Sequence, residues 1–242
     1  MKKVIIIGSG FGGLSITSRL RSKGFDTTLI EKHGDLGGRA RTFLHNNYKY
    51  DAGPTVITAP YLIDELFSIH SEKLSDYVNL LPVKPWYRFL FENGEYLDYG
   101  DKLSTTVKEI KLKYGYENAK SYLKLVKHSK RIFNKAFIEL SDEPFESLGS
   151  MVKHLPELIR IRFDRSVYQA VDKYIGNKNL NQALSMHPLL VGGNPYSTTS
   201  IYLLIQYLEW KWGVFYAEGG TGKIVDGLEK LLLNKDVEIK KN

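Results

Sequence analysis

Val4-Ile5-Ile6-Ile7-Gly8-Ser9-Gly10-Phe11-Gly12-Gly13-Leu14 decides how this chain folds. The β-branched run over residues 2–7 predicts a strand buried on both faces of a parallel sheet. Glycines follow it at once, in a G-x-G-x-x-G pattern placed between a strand and a helix. Gly8 permits the tight turn, Gly10 lets the backbone approach a pyrophosphate, and Gly13, next to Gly12, lets the helix pack close to the sheet. From Gly12 to about Lys23, Leu14, Ile16 and Leu20 suit a helix, which Gly24 closes. Its amino terminus offers free N–H groups and partial positive charge to phosphates. Thr27 to Glu31 reads as a second strand. Glu31, with Lys32 beside it, falls where an acidic side chain accepts hydrogen bonds from both ribose hydroxyls of an adenosine and repels a 2′-phosphate. A chance glycine-rich turn with an exposed glutamate is the plainer alternative, but it leaves the ordered series of strand, glycines, helix, strand and acid unaccounted for.

Beyond this βαβ opening, aromatic and β-branched residues between about Pro82 and Tyr99 flank Glu92-Asn93-Gly94-Glu95, a hairpin signal. From about Ser104 to Trp210 the pattern is largely helical, with amphipathic stretches over Thr105 to Tyr114 and Ala119 to Leu140. Gly219-Gly220-Thr221-Gly222 then precedes a helix containing Ile224, Val225, Leu228, Leu231 and Leu232, and Val237-Glu238-Ile239 begins another strand. The predicted organisation is a nucleotide-binding part over 1–75, an inserted part over 76–212, and a return to the first over 213–242. No repeat or low-complexity linker interrupts it.

Composition narrows the function classes. A chain of 242 residues with 43% hydrophobic content can bury a core, and no apolar run reaches the ~18 residues of a spanning helix. The apolar run after Met1-Lys2-Lys3 is too short for a signal peptide. The absence of cysteine excludes disulfides, thiolate metal sites and cysteine nucleophiles, and fits a cytoplasmic setting. No histidine–carboxylate spacing suggests a metal. The net charge of +7 suits anionic partners, yet no nucleic-acid-binding signature accompanies it. Met151 to Phe163 sets Leu155, Leu158, Ile159 and Phe163 beside Lys153, Arg160 and Arg162, which suits a peripheral contact with the inner face of a membrane and equally an ordinary packed helix with a solvated face.

Gly37-Gly38-Arg39, with Thr42 behind it, is not needed by a domain that binds NAD alone. The chain also holds Tyr50-Asp51-Ala52-Gly53-Pro54-Thr55-Val56-Ile57-Thr58, Leu81-Pro82-Val83-Lys84-Pro85-Trp86-Tyr87-Arg88, His187-Pro188-Leu189-Leu190-Val191-Gly192-Gly193-Asn194-Pro195, Thr199-Ser200-Ile201-Tyr202, and Gly213-Val214-Phe215-Tyr216-Ala217-Glu218-Gly219-Gly220-Thr221-Gly222. In content and order these resemble the amino-terminal half of the bacterial phytoene desaturase family of FAD-dependent oxidoreductases. The resemblance implies an α/β fold: a Rossmann-like FAD-binding domain with an inserted α+β, mainly helical substrate domain, incomplete relative to the family. It implies FAD as cofactor, a long polyene hydrocarbon such as phytoene as substrate, and removal of hydrogen from carbon beside an existing double bond in carotenoid biosynthesis. It also places Gly37, Gly38 and Arg39 at the FAD phosphates, Asp51, Gly53, Pro54 and Thr55 near the isoalloxazine, and Gly192-Gly193-Asn194 in the substrate region. A planar, permanently charged arginine suits the phosphate role.

Two departures from that family matter. Its members run to roughly twice this length, so the chain reads as a fragment or as one half completed by a separate chain. Some relatives also carry an Asp and an Arg where Ser150 and Lys153 stand here. Asp164 and Arg165 are weaker catalytic candidates nearby, for which a surface ion pair is the competing reading. His187 is a third candidate, as a proton shuttle, against a simple hydrogen-bonded structural role. Two other readings stay open: another amine-oxidase-like flavoenzyme, such as a carotenoid isomerase or squalene-type desaturase, and a non-catalytic subunit.

Overall fold

A computed structural model describes residues 2–139, 156, 159 and 161–242. The chain opens with β1 (Lys3–Ile7), α1 (Phe11–Ser22) and β2 (Asp26–Glu31). A hairpin of β3 (Thr42–His45) and β4 (Tyr48–Asp51) follows, then α2 (Pro60–Ser68) and β5 (Leu80–Pro82). Next come the hairpin β6 (Tyr87–Leu90) and β7 (Tyr96–Tyr99), α3 (Leu103–Tyr114) and α4 (Tyr116–Phe133), which runs into a π-helical turn over Asn134–Glu139. After the undescribed stretch lie α5 (Val167–Asp172), α6 (Lys178–Leu184) and α7 (Leu204–Trp212). The last elements are β8 (Phe215–Ala217), α8 (Gly222–Asn234) and β9 (Glu238–Lys241). They form two compact units: Met1–Val83 with Val214–Asn242, and Lys84–Gly213.

In the first unit β1, β2 and β9 make a parallel sheet with β2 in the middle, in register Ile5↔Thr28 and Thr28↔Glu238. The returning strand thus adds beside β2 and leaves the outer edge of β1 without a partner strand among the described residues. One face of the sheet packs on helices. Leu29 and Leu14 meet α8, whose Ile224, Val225, Leu228, Leu231 and Leu232 all fall on one side at helical spacing. Burying those five side chains contributes on the order of 10 kcal/mol before conformational entropy is counted. The other face departs from the expectation of burial on both sides. Ile6 is buried, but Ile5 and Ile7 are 64% and 86% exposed, because no described element lies over them.

The β3–β4 hairpin turns on Asn46 and Asn47, both with positive φ (48° and 65°), as a two-residue turn matched to strand twist requires. β5 pairs antiparallel with β8, joining the two sequence segments of this unit.

In the second unit the β6–β7 hairpin turns where Asn93-Gly94 predicts, with Gly94 at φ 80°. α4 buries Tyr122, Leu125, Ile132 and Phe133, and it is tied to α7 by Ser129 Oγ donating to Gln206 Oε1 (2.8 Å) and Trp210 Nε1 donating to Tyr122 Oη (3.1 Å). A capping box between Ser166 and Gln169 starts α5, and Asn177 caps α6. Ser150, Lys153 and most of the 151–163 stretch lie outside the described residues.

Candidate functional site

The site is built around the turn from β1 to α1. Gly8 continues the strand ladder by one bond, its N–H donating to Ile30 O at 2.8 Å, and then turns the chain at φ 94°. Gly10 is the residue before α1, and a Cβ placed on Gly10 or on Gly12 would meet no protein atom within 4 Å. Gly13 is the opposite case, since a Cβ there would lie 1.8 Å from Gly8 O. Gly8 and Gly13 therefore build the turn, while Gly10 leaves bare backbone facing open space at a helix amino terminus.

Glu31 closes β2 against this turn and is only 7% exposed. Its Oε2 accepts from Ser9 N–H at 2.9 Å and from Ser9 Oγ at 2.6 Å, and its Oε1 accepts from His33 N–H at 3.1 Å. The Ser9 hydroxyl, then the Ser9 amide, hold the carboxylate down to about 2 against the opposing effect of burial. Three of its roughly four acceptor positions are filled, which leaves Oε1 room for a further donor. A carboxylate depressed in this way stabilises the unit fully above its ordinary value of 4.5, and that contribution disappears as pH falls through about 2. Glu31→Gln is expected to cost on the order of 2 kcal/mol at pH 7. The gap between variant and wild type should close between pH 4.5 and 2, read by hydrogen exchange at the β2 amides; a gap that persists unchanged at pH 2 would show that the carboxylate charge is not its source.

Two of the other cofactor candidates, Gly37 and Gly38, pack against the same turn. Gly37 N–H donates to Ser9 O at 2.9 Å, and a Cβ on Gly38 would sit 3.3 Å from Gly10 Cα. A Cβ on Gly53 would sit 2.2 Å from Arg39 O, so the 51–55 turn packs against the backbone of Arg39. Arg39 itself is exposed and makes no ion pair or hydrogen bond with the described residues, and Lys32 is likewise exposed. Asp51 is tied into the protein by both carboxylate oxygens. Its Oδ1 accepts from Thr42 Oγ1 (2.9 Å), and its Oδ2 accepts from Thr221 N–H (3.2 Å) just before α8. Thr221 Oγ1 donates to Pro54 O at 2.6 Å, while Ala52 to Thr55 stay exposed. Beside this assembly lies a mainly apolar cavity of about 330 Å³, lined by Phe11, Ser15, Pro54, Val56, Thr221 and Ile224. Val56 and Thr221 lie within segments that the sequence already singles out, whereas Ser15 carries no signal of its own beyond its i+4 spacing from Phe11 on the first turn of α1.

The catalytic candidates lie in the second unit. Asp164 and Arg165 occupy a turn before α5; Asp164 is exposed, 3.7 Å from Arg162 Nε, and neither residue lines a described cavity. His187 is buried, with Nε2 3.0 Å from Glu209 Oε2 and Nδ1 without a partner. Tyr87 Oη donates to the other oxygen of Glu209 at 2.7 Å. The 3-10 turn headed by His187 leads into Gly192, Gly193 and Asn194, which line a cavity of about 590 Å³ with Tyr168, Tyr196 and the buried, unpartnered Ser185 Oγ.

Comparison with known proteins follows the same lines. A lycopene-forming phytoene desaturase of Pseudescherichia vulneris is 41% identical over 242 residues, covering 100% of this chain and 49% of that protein. A neurosporene-forming phytoene desaturase of Rhodobacter capsulatus is 32% identical, covering 100% of this chain and 46% of its own length. The chain spans about half the length of the curated relatives it matches. Among solved structures, putrescine oxidase with bound putrescine has a TM-score of 0.63 at 14% identity, covering 100% of this chain and 51% of that one, a likeness of fold alone. With the flavin-containing amine oxidoreductase pattern matched over residues 11–242, the chain belongs to that family.

Proposed function

We propose that this chain is the FAD-binding and part of the substrate-binding portion of a desaturase acting on a long polyene hydrocarbon such as phytoene. The observation that carries the proposal is the convergence of Gly10, Glu31 and Gly38 on one turn, with Arg39 next to Gly38 in sequence, in a chain 41% identical to a phytoene desaturase. These residues fit a dinucleotide. The open backbone at Gly10 admits a pyrophosphate at the α1 amino terminus, Arg39 is an unpaired cation beside it, and Glu31 Oε1 retains acceptor capacity for a ribose hydroxyl. Gly37 and Gly38 hold the arginine turn against the loop, and Asp51 anchors the 51–55 turn to α8 so that Gly53 and Pro54 stay beside Arg39.

Bound flavin would supply the two-electron oxidant, accepting a hydride from one carbon of the polyene while the proton from its neighbour would pass to water, so that a C=C bond would form. A hydrocarbon offers no polar handle, so binding falls to apolar walls. In the second unit, the cavity beside Gly192 and Gly193 supports a place for part of the polyene.

The exposed Ile5 and Ile7 and the free edge of β1 support a further polypeptide segment that completes the sheet, whether continuous with this chain or separate. A substrate of this class also favours peripheral membrane contact. A second reading, other oxidative chemistry on a carotenoid, has support from 28% identity to a 4,4′-diapolycopene oxygenase of Methylomonas sp over 99% of this chain.

The test is to complete the chain with the remaining half of the Pseudescherichia vulneris relative, load it with FAD and feed it phytoene. Flavin absorbance at a 1:1 ratio and new long-wavelength polyene bands are expected. A flavin-loaded protein that leaves phytoene unchanged would overturn the substrate. Oxygenated products in place of longer conjugation would favour the second reading.

A further inference from the structure

The outward face of α4 is almost wholly basic. Lys120, Lys124, Lys127 and Arg131 follow one another at spacings of four, three and four, which puts them in one line along the helix, and Lys130 borders that line. All five are exposed. None makes an ion pair with the described residues; Lys130 Nζ lies 5.7 Å over the Tyr207 ring. The acidic residue of this helix, Glu117 in its first turn, stands three residues before Lys120 and heads the same line. At 1.5 Å rise per residue the line runs roughly 16 Å.

Folding does not call for this stripe. The opposite face of α4 buries Tyr122, Leu125, Val126, Ile132 and Phe133, and this packing holds the helix in place. Like charges four residues apart weaken a helix by a few tenths of a kcal/mol each, so the stripe persists against local stability. Apolar side chains sit among the charges. Leu123 is 45% exposed on the same face, three residues from Lys120 and four from Lys127, and Tyr116, four residues before Lys120, is 61% exposed. Lys111 Nζ lies 5.7 Å over the Tyr116 ring, which keeps that cation next to the apolar group.

We propose that this face of α4, with Tyr116 at its start, seats the protein on an anionic lipid surface. Cations would meet the headgroups while Leu123 and Tyr116 enter the boundary of the acyl region, the arrangement of an interfacial helix. A nucleic acid would account for the cations but not for the exposed leucine among them. The inference rests on the polyene reading, because a hydrocarbon substrate resides in the bilayer and an enzyme seated there meets it without crossing water.

The test uses the full chain and vesicles of phosphatidylcholine with or without 30% phosphatidylglycerol, chosen at about that fraction to give a strongly anionic surface. Flotation should show binding to the anionic vesicles, weakened by salt, and little to the neutral ones. Lys120→Gln, Lys124→Gln and Lys127→Gln together should weaken binding about a hundredfold, with circular dichroism and the unfolding midpoint retained. A control triple, Lys73→Gln, Lys173→Gln and Lys178→Gln, removes the same charge from other exposed positions and should weaken it less than about fivefold. The proposal is overturned if wild type ignores anionic vesicles, if the α4 triple binds like wild type, if the control triple is equally weakened, or if heparin and duplex DNA bind as tightly as the vesicles. Vesicle binding through α4 with no polyene turnover would leave this surface standing and remove the substrate reading; turnover without vesicle binding would do the reverse.

Discussion

Gly13→Ala is expected to destabilise the first unit by about 3 kcal/mol or more, whereas Gly10→Ala, three residues earlier, leaves its stability within about 1 kcal/mol of wild type and still abolishes flavin retention. The contrast follows from what each added methyl would meet. At Gly13 it would lie 1.8 Å from Gly8 O and 2.9 Å from Gly8 C, both backbone atoms of the turn that positions α1 against β1. A flexible side chain could swing aside, but this backbone cannot without breaking the Gly8–Ile30 hydrogen bond or lifting the helix off the sheet. At Gly10 the methyl meets nothing of the protein within 4 Å and occupies the space assigned to the pyrophosphate. Hydrogen exchange at the β1 and β2 amides is the suitable readout for stability. Equilibrium dialysis of FAD against the completed protein reads the other effect, with a loss of at least about tenfold, or 1.4 kcal/mol, expected for Gly10→Ala. If Gly10→Ala binds flavin as wild type does, the phosphates do not lie on this turn.

The βαβ opening was legible because its signals are local. A β-branched run, glycines with distinct steric duties, and an acid at the end of the next strand all lie within 31 residues. The approach of Gly37 and Gly38 to that opening, and of Gly53 to the Arg39 backbone, was not legible from the residues, since no periodicity brings distant glycines together. The β3–β4 hairpin was missed although Asn46-Asn47 between Thr42–His45 and Tyr48–Asp51 is a turn signal; the strands are short and both largely exposed, so alternation had little to report. The continuous apolar character of β1 was read as burial on both faces, and within these residues only one face is covered. The role of Asp51 was not readable either. Its hydrogen-bond partner Thr221 is 170 residues away, and pairing over such a distance depends on the tertiary fold.

The same holds for the strongest buried polar cluster, and it yields the second large effect: Glu209→Leu should cost the second unit about 3–5 kcal/mol. Glu209 is fully buried on α7, with Tyr87 from β6 on one oxygen and His187 from the 3-10 turn on the other. Burial, then the Glu209 carboxylate, push the Tyr87 phenol far above its ordinary range, so it remains a hydrogen-bond donor at every working pH. Removing the carboxylate strands both partners, and His187 already carries one unpartnered nitrogen, Nδ1. Glu209→Gln keeps an acceptor for Tyr87 and should cost less, about 1–2 kcal/mol. Adding Tyr87→Phe to Glu209→Leu should recover part of the loss, because the cost lies in the stranded groups rather than in the missing charge. Measurement is direct. All three tryptophans, Trp86, Trp210 and Trp212, lie in this unit, so urea unfolding followed by tryptophan fluorescence reports it alone. A Glu209→Leu transition within about 1 kcal/mol of wild type would mean that the carboxylate is not what holds the wall of the Gly192–Gly193 cavity in place.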